Sequence, residues 1–320
     1  MKFSVYNILS NENFDDIESY ENSNLKIDKF NDHIEIIFKL TYSTNIFIYE
    51  NDNYYYLSFH HKHMFEKFGE SNVKRYYKFF NKLILYKDHY EIIEDTNISL
   101  YSVSIFSAEG IKILKDWINK YTKIIQNINP NNLCIELSAG IDTRILSYFW
   151  RNTNNTYTIY TKNDPNEIDE AINVINYINE NFPVTINAII NNKKDISNSN
   201  NYIINLNGAN ILHGLCFYDV KHKMNINDFY NKINNSCYSG KSKHIILDIC
   251  PFYDKEYLKL KGEYDGQIKV LLLFYLCKEK NLYKLPIKSF KRELFDINEF
   301  ENDLTILNLI NKLENINNAK

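Results

Sequence analysis

Runs of β-branched and aromatic residues, separated by polar turns, fill the first hundred positions: "HIEIIFKLTY" from His33, "NIFIYEND" from Asn45, "YYYLSFH" from Tyr54 and "KLILYKDHYEII" from Lys82. Such runs fit a pleated, half-buried surface and predict short strands, so residues 1–106 read as a small, mainly β domain. The period then changes. Ile111, Leu114, Ile118, Tyr121, Ile125 and Ile128 recur at three and four, the stripe of an amphipathic helix that Asn129-Pro130 stops. That helix opens a second domain, residues 107–320.

Strands and helices alternate from there. "LCIEL" (Leu133 to Leu137) predicts a buried strand, a helix follows from about Thr143, "TYTIYTK" (Thr156 to Lys162) is a second strand, and Ile168, Ala171, Ile175, Ile178 and Phe182 share one face of a second helix before "VTINAII" (Val184 to Ile190). A βαβαβ order predicts an α/β fold: a parallel sheet with flanking helices and a ligand site at the carboxyl ends of its strands. Residues 193–203 read as an exposed loop, the chain beyond Asp254 as helical with weak phasing, and "VLLLFYL" from Val270 as a core helix.

The first turn of this unit holds the candidate chemistry. In "CIELSAGIDTRILSYFW" (Cys134 to Trp150) an apolar run breaks at Ser138-Ala139-Gly140, an acid follows at Asp142, and an amphipathic segment opens with Thr143-Arg144. A strand-to-helix turn of small residues aims backbone N–H groups and the positive helix end at an anion, and Asp142 stands where a carboxylate could share a magnesium ion with phosphates. A tight turn with a capping acid satisfies the same spacing.

"LSAGIDTR" (Leu137 to Arg144) resembles the LSGGxDSR loop of the PP-loop ATP pyrophosphatases, especially the asparagine synthetase and β-lactam synthetase group. Three further segments are similar in the same order: the stretch from Tyr157 with Glu167 and Ala171 at an E-x-x-x-A step, "NGANILHGLCFYD" from Asn207, and "PFYDKEYLKL" from Pro251. The resemblance implies ATP and Mg2+ as cofactors, with a carboxylate activated as its acyl-adenylate and then attacked by an amine. It implies that Ser138, Ala139, Gly140, Thr143, Arg144 and Gly208 line the nucleotide, that Asp142 holds the metal, and that Lys269 is the catalytic lysine on the pyrophosphate side. The sequence departs from the pattern at Ala139, where the family has glycine, and at Asn210 and His213, where it has Glu and Arg. These departures motivate an alternative: a catalytically degenerate module that binds a nucleotide or a protein. Residues 1–106 resemble a worn amidotransferase domain, and Lys2 stands where a cysteine nucleophile would be, so no glutamine hydrolysis is expected.

Composition narrows the partners. A net charge of −3 over 320 residues gives no basic field for nucleic acid or an anionic membrane, and no apolar run approaches the roughly 20 residues of a membrane span. Five scattered cysteines without a CxxC pair fit a reducing compartment, so a cytoplasmic protein is expected. The expected partners are a small carboxylate and an amine, with a homodimer or a separate ammonia-supplying protein as the candidate assembly. "NSCYSGKS" (Asn235 to Ser242) lacks the first glycine of a nucleotide loop and precedes "HIILDIC", a strand where that loop needs a helix. "HHKH" (His60 to His63) has no acidic or Cys partner at metal spacing and reads as a solvated polar run.

Overall fold

The computed structural model describes residues 2–7, 12–14, 18–21, 25–38, 46–51, 54–58, 61–76, 82–86, 89–93, 99–165, 167–191, 203–206, 245–249, 251–263, 266–287 and 303–315. Gly208, Asn210, His213, "NSCYSGKS", His60 and residues 193–202 of the expected loop lie outside this set. The chain divides into two compact units, one built mainly on residues 1–98 and the other mainly on 99–201 and 251–320.

The first unit carries two five-stranded sheets. Its elements are β1 (Lys2–Asn7), β2 (Glu12–Phe14), β3 (Ser19–Glu21), β4 (Leu25–Lys29), β5 (His33–Phe38), β6 (Ile46–Asn51), β7 (Tyr54–Ser58), α1 (His61–Phe68), β8 (Val73–Tyr76), β9 (Lys82–Tyr86) and β10 (Tyr90–Ile93). One sheet runs β2-β1-β7-β6-β8, the other β10-β9-β5-β4-β3. The second is antiparallel throughout, and Ile27, Ile34, Ile36, Leu83 and Leu85 are buried on one face by the period of two, while Ile84 is buried on the other. "KLILYKDHYEII" is therefore a hairpin, closed by the Tyr86 N–H on the His89 carbonyl. His61–His63, expected as a solvated run, open α1, whose Met64 is buried with Phe47 and Tyr56.

The second unit begins at β11 (Val103–Ser104) and α2 (Ala108–Gln126). Ser107 caps α2, its hydroxyl accepting from the Gly110 N–H at 3.0 Å. Only glycine fits at 110, because a Cβ there would lie 2.2 Å from the Ser104 carbonyl oxygen. Strands β12 (Leu133–Glu136), β13 (Thr156–Lys162), β14 (Thr185–Asn191), β15 (Ile203–Leu206) and β16 (Ile245–Ile249) follow the order β14-β13-β12-β15-β16, and β12, β13 and β14, all of the second unit, are parallel neighbours. The crossovers are α3 (Ile141–Arg151) and α4 (Ile168–Asn181). The chain thus combines an antiparallel β region with a parallel sheet flanked by helices. Helix α3 starts at Ile141, before the expected Thr143, and Ile128 lies beyond the end of α2.

Beyond β16 come α5 (Lys255–Leu258), β17 (Leu260–Lys261), α6 (Gln267–Cys277) and α7 (Leu304–Asn315). Phasing is weak in α6 because it is buried all round, as a core helix should be. Trp117 of α2 is the hub of the aromatic core, 5.5 Å from Phe149 and 4.9 Å from Tyr257 between ring centres, and its indole donates to the Pro251 carbonyl at 2.6 Å. Buried Asp254 caps α5 and also accepts from Lys120 and Tyr121 of α2, so the "PFYD" segment joins two helices. No described helix is long and apolar enough to cross a membrane.

Candidate functional site

Strand β12 is the middle strand of its sheet, and the candidate turn leaves its carboxyl end. The Leu137 N–H still reaches the Tyr160 carbonyl of β13 at 2.9 Å; one residue later the chain abandons the ladder. The Ser138 N–H donates instead to the Thr143 hydroxyl at 3.1 Å, and the Gly140 N–H donates to the Ser138 hydroxyl, also at 3.1 Å. The Thr143 hydroxyl lies 3.2 Å from the Ser138 carbonyl oxygen and 3.4 Å from that of Gly140, and its single proton serves one of them at a time. Ser138, Gly140 and Thr143 are partly exposed. They form a small turn closed by its own hydroxyls at the amino terminus of α3, where the helix dipole is positive.

Neither small residue is required by backbone conformation. Gly140 caps α3 at φ −75° and ψ 164°, which any residue adopts, and a Cβ there would stand 3.1 Å from the Ser138 hydroxyl. Among the described non-glycine residues only Tyr101, Lys280 and Asn281 have positive φ, so the Cβ of Ala139 carries no such strain. Ala139 is fully buried and lines no open surface.

Asp142 lies in the first turn of α3, and its carboxylate meets the Lys269 ammonium at 2.7 Å. Both side chains are almost wholly enclosed, 5% and 3% exposed respectively. Lys269 is the third residue of α6, whose N-cap Gly266 is in the left-handed conformation (φ 85°) and which packs against α3. Two residues assigned separately to metal and to pyrophosphate are thus brought together.

Arg144 faces elsewhere. Its guanidinium donates to the carbonyls of Leu285 at 2.7 Å, Pro286 at 2.8 Å and Ala139 at 3.3 Å, and burial pulls its pKa down to about 10. It ties the 285–286 segment to the turn, and the whole side chain is buried. Arg151, one turn past Ser147, donates to the Ser147 hydroxyl and the Leu276 carbonyl. Cys277 closes the seam, its thiol 3.4 Å from the Arg144 carbonyl and pushed up in pKa by complete burial. The sequence did carry a signal for this clamp, since Arg144, Ser147 and Arg151 repeat at helical spacing on the face that Ile145 and Phe149 flank.

A divalent ion at Asp142 is a poor fit to this arrangement. Mg2+ is held by several oxygen ligands, whereas this carboxylate is already in contact with an ammonium, and among the described residues no three His, Cys, Asp or Glu side chains gather to hold a metal. The site therefore consists of a hydroxyl-closed turn at the amino terminus of α3 and a buried acid–lysine pair in the first turns of α3 and α6. No protein-family model matches the chain, and no curated protein sequence matches it.

Proposed function

We propose that the chain is an ATP-dependent, AMP-forming ligase that joins a carboxylate to an amine. The observation supporting this reading is the Ser138–Thr143 turn at the carboxyl end of a central parallel strand, with Asp142 and Lys269 converging under the helix that follows. On this reading a substrate carboxylate oxygen attacks the α-phosphorus of ATP, the bond to the β-phosphate oxygen breaks, and pyrophosphate leaves. The amine then attacks the acyl carbon, AMP departs with the bonding electrons, and the amine loses a proton. Ser138, Gly140 and Thr143, with the first amides of α3, would receive the pyrophosphate as its charge develops. Arg144 keeps the turn in shape through the Ala139 carbonyl. Any Mg2+ would enter with the nucleotide's own phosphates.

A second reading draws on a specific feature. The turn is closed by its own hydroxyls and Arg144 is committed to carbonyls, which favours a module that binds nucleotide without turning it over. Pyrophosphate release separates the two. Incubation with ATP, Mg2+, amines and a panel of amino and sugar acids should yield pyrophosphate and AMP in equal amounts with at least one acid. ATP binding with no release across the panel selects the second reading, and absence of both removes the nucleotide site altogether.

A further inference from the structure

We propose that Asp142 is the buried counter-charge of Lys269 rather than a metal ligand, and that this pair keeps the turn receptive to phosphate without a divalent ion at the acid. A carboxylate in the first turn of α3, directly below a phosphate turn, would repel the very anion the helix end attracts. Lys269 cancels it at 2.7 Å. The two come from the first turns of different helices, α3 and α6, so the cancellation is built by their packing and not by local sequence. With its side chain 3% exposed, Lys269 acts through its field and does not reach out of the core. A metal arriving at Asp142 would have to displace an ammonium already in contact, leaving that cation buried beside a second one, which low-dielectric surroundings penalise heavily.

The effect of the pair on anion binding rests on the nucleotide reading above; the pairing itself does not. Its signs are opposite to those of a metal site. In EDTA, Asp142→Asn removes the acid beside Lys269 and should tighten pyrophosphate and ATP binding by on the order of tenfold, Lys269→Met should weaken both by a similar factor, and the neutral double variant Asp142→Asn/Lys269→Met should return to near wild type. Each single variant unbalances a buried pair and should lose about 10 °C in melting temperature, most of which the double variant recovers. Where a single variant fails to fold, recovery of folding in the double variant carries the same meaning.

Calorimetry with pyrophosphate and ATP, melting curves for the four proteins, and Mn2+ titration followed by electron paramagnetic resonance make up the test. The proposal stands if the double variant restores stability and wild type and Asp142→Asn show the same Mn2+ affinity. It is overturned if Asp142→Asn melts like wild type yet loses Mn2+ and Mg-ATP binding, or if the double variant is no better than the worse single one. Should wild type bind neither ATP nor pyrophosphate under any condition, the ligase reading fails, and the melting curves with the Mn2+ titration still decide the pair.

Discussion

The seam between α3 and α6 and the outward face of the β10-β9-β5-β4-β3 sheet use the same chemical groups in opposite surroundings. On the sheet, strand register lays charges out in rows: Asp28, Glu35 and Glu91 share one row through Ile84, and Lys26 and Lys82 share the next through Ile37. Lys26 meets Asp28 at 2.6 Å, and Lys82 also pairs with Glu35. These side chains keep contact with water, where an ion pair gains little and is screened by salt. At the seam, Asp142, Lys269, Arg144 and Arg151 are enclosed, and each charge has a partner or a carbonyl. The difference teaches that separation alone does not rank these pairs. Removing a partner on the sheet exposes the other to solvent, whereas removing one at the seam strands it in protein.

The largest effect should come from Arg144→Met, which keeps much of the side-chain bulk but takes the donors from the Leu285, Pro286 and Ala139 carbonyls. A loss of about 3 kcal/mol in denaturant-derived stability is expected, with faster amide exchange in the 285–287 segment. An unchanged unfolding midpoint would mean that the clamp contributes nothing and that the two regions differ less than burial implies.

Cys277 sharpens the comparison through pH. Its folded-state pKa is raised above the ordinary 9.0, so the thiol stays protonated in the fold while the unfolded chain ionises. Its contribution is fully present below pH 9 and falls as pH rises further, at up to about 1.4 kcal/mol per pH unit. Cys277→Ala should flatten that slope above about pH 9, leaving the part that Arg144 contributes as it titrates near pH 10. Parallel wild-type and variant curves would contradict it. Ala139→Gly comes next: with φ already ordinary, glycine brings no relief and should cost about 1 kcal/mol, leaving ATP affinity unchanged. The smallest effect belongs to the exposed Lys74–Glu50 pair of the first unit, 2.6 Å apart, where Lys74→Gln should shift stability by less than about 0.5 kcal/mol.

Much of the second unit was legible because hydrophobic period reports local burial. Cys134 and Ile135 for β12, the α2 stripe from Ile111 to Ile125, and Ala171 with Ile178 for α4 all face the core where their spacing says they should. The first unit was legible as strands but not as two sheets, because pairing depends on partners distant in sequence, such as Phe3 opposite Tyr55 in the parallel β1–β7 pair. The turn at Ser138 was readable for the same local reason. Its chemistry was not: Lys269 lies at the edge of the most apolar run, and nothing in its neighbours says that α6 carries it to Asp142. Arg144 looked available for phosphate until tertiary packing brought the Leu285 and Pro286 carbonyls to it. Long-range charge pairing and backbone carbonyl partners leave no period in a sequence, so they appear only in the fold.

Hydrogen–deuterium exchange with and without saturating ATP most directly tests whether the Ser138–Thr143 turn receives phosphate. Added nucleotide should slow exchange at the Gly140, Ile141 and Asp142 amides, where the turn meets the first turn of α3, and pyrophosphate alone should reproduce that protection. ATP binding that leaves these amides unchanged, or protects only amides elsewhere in the chain, would contradict the account.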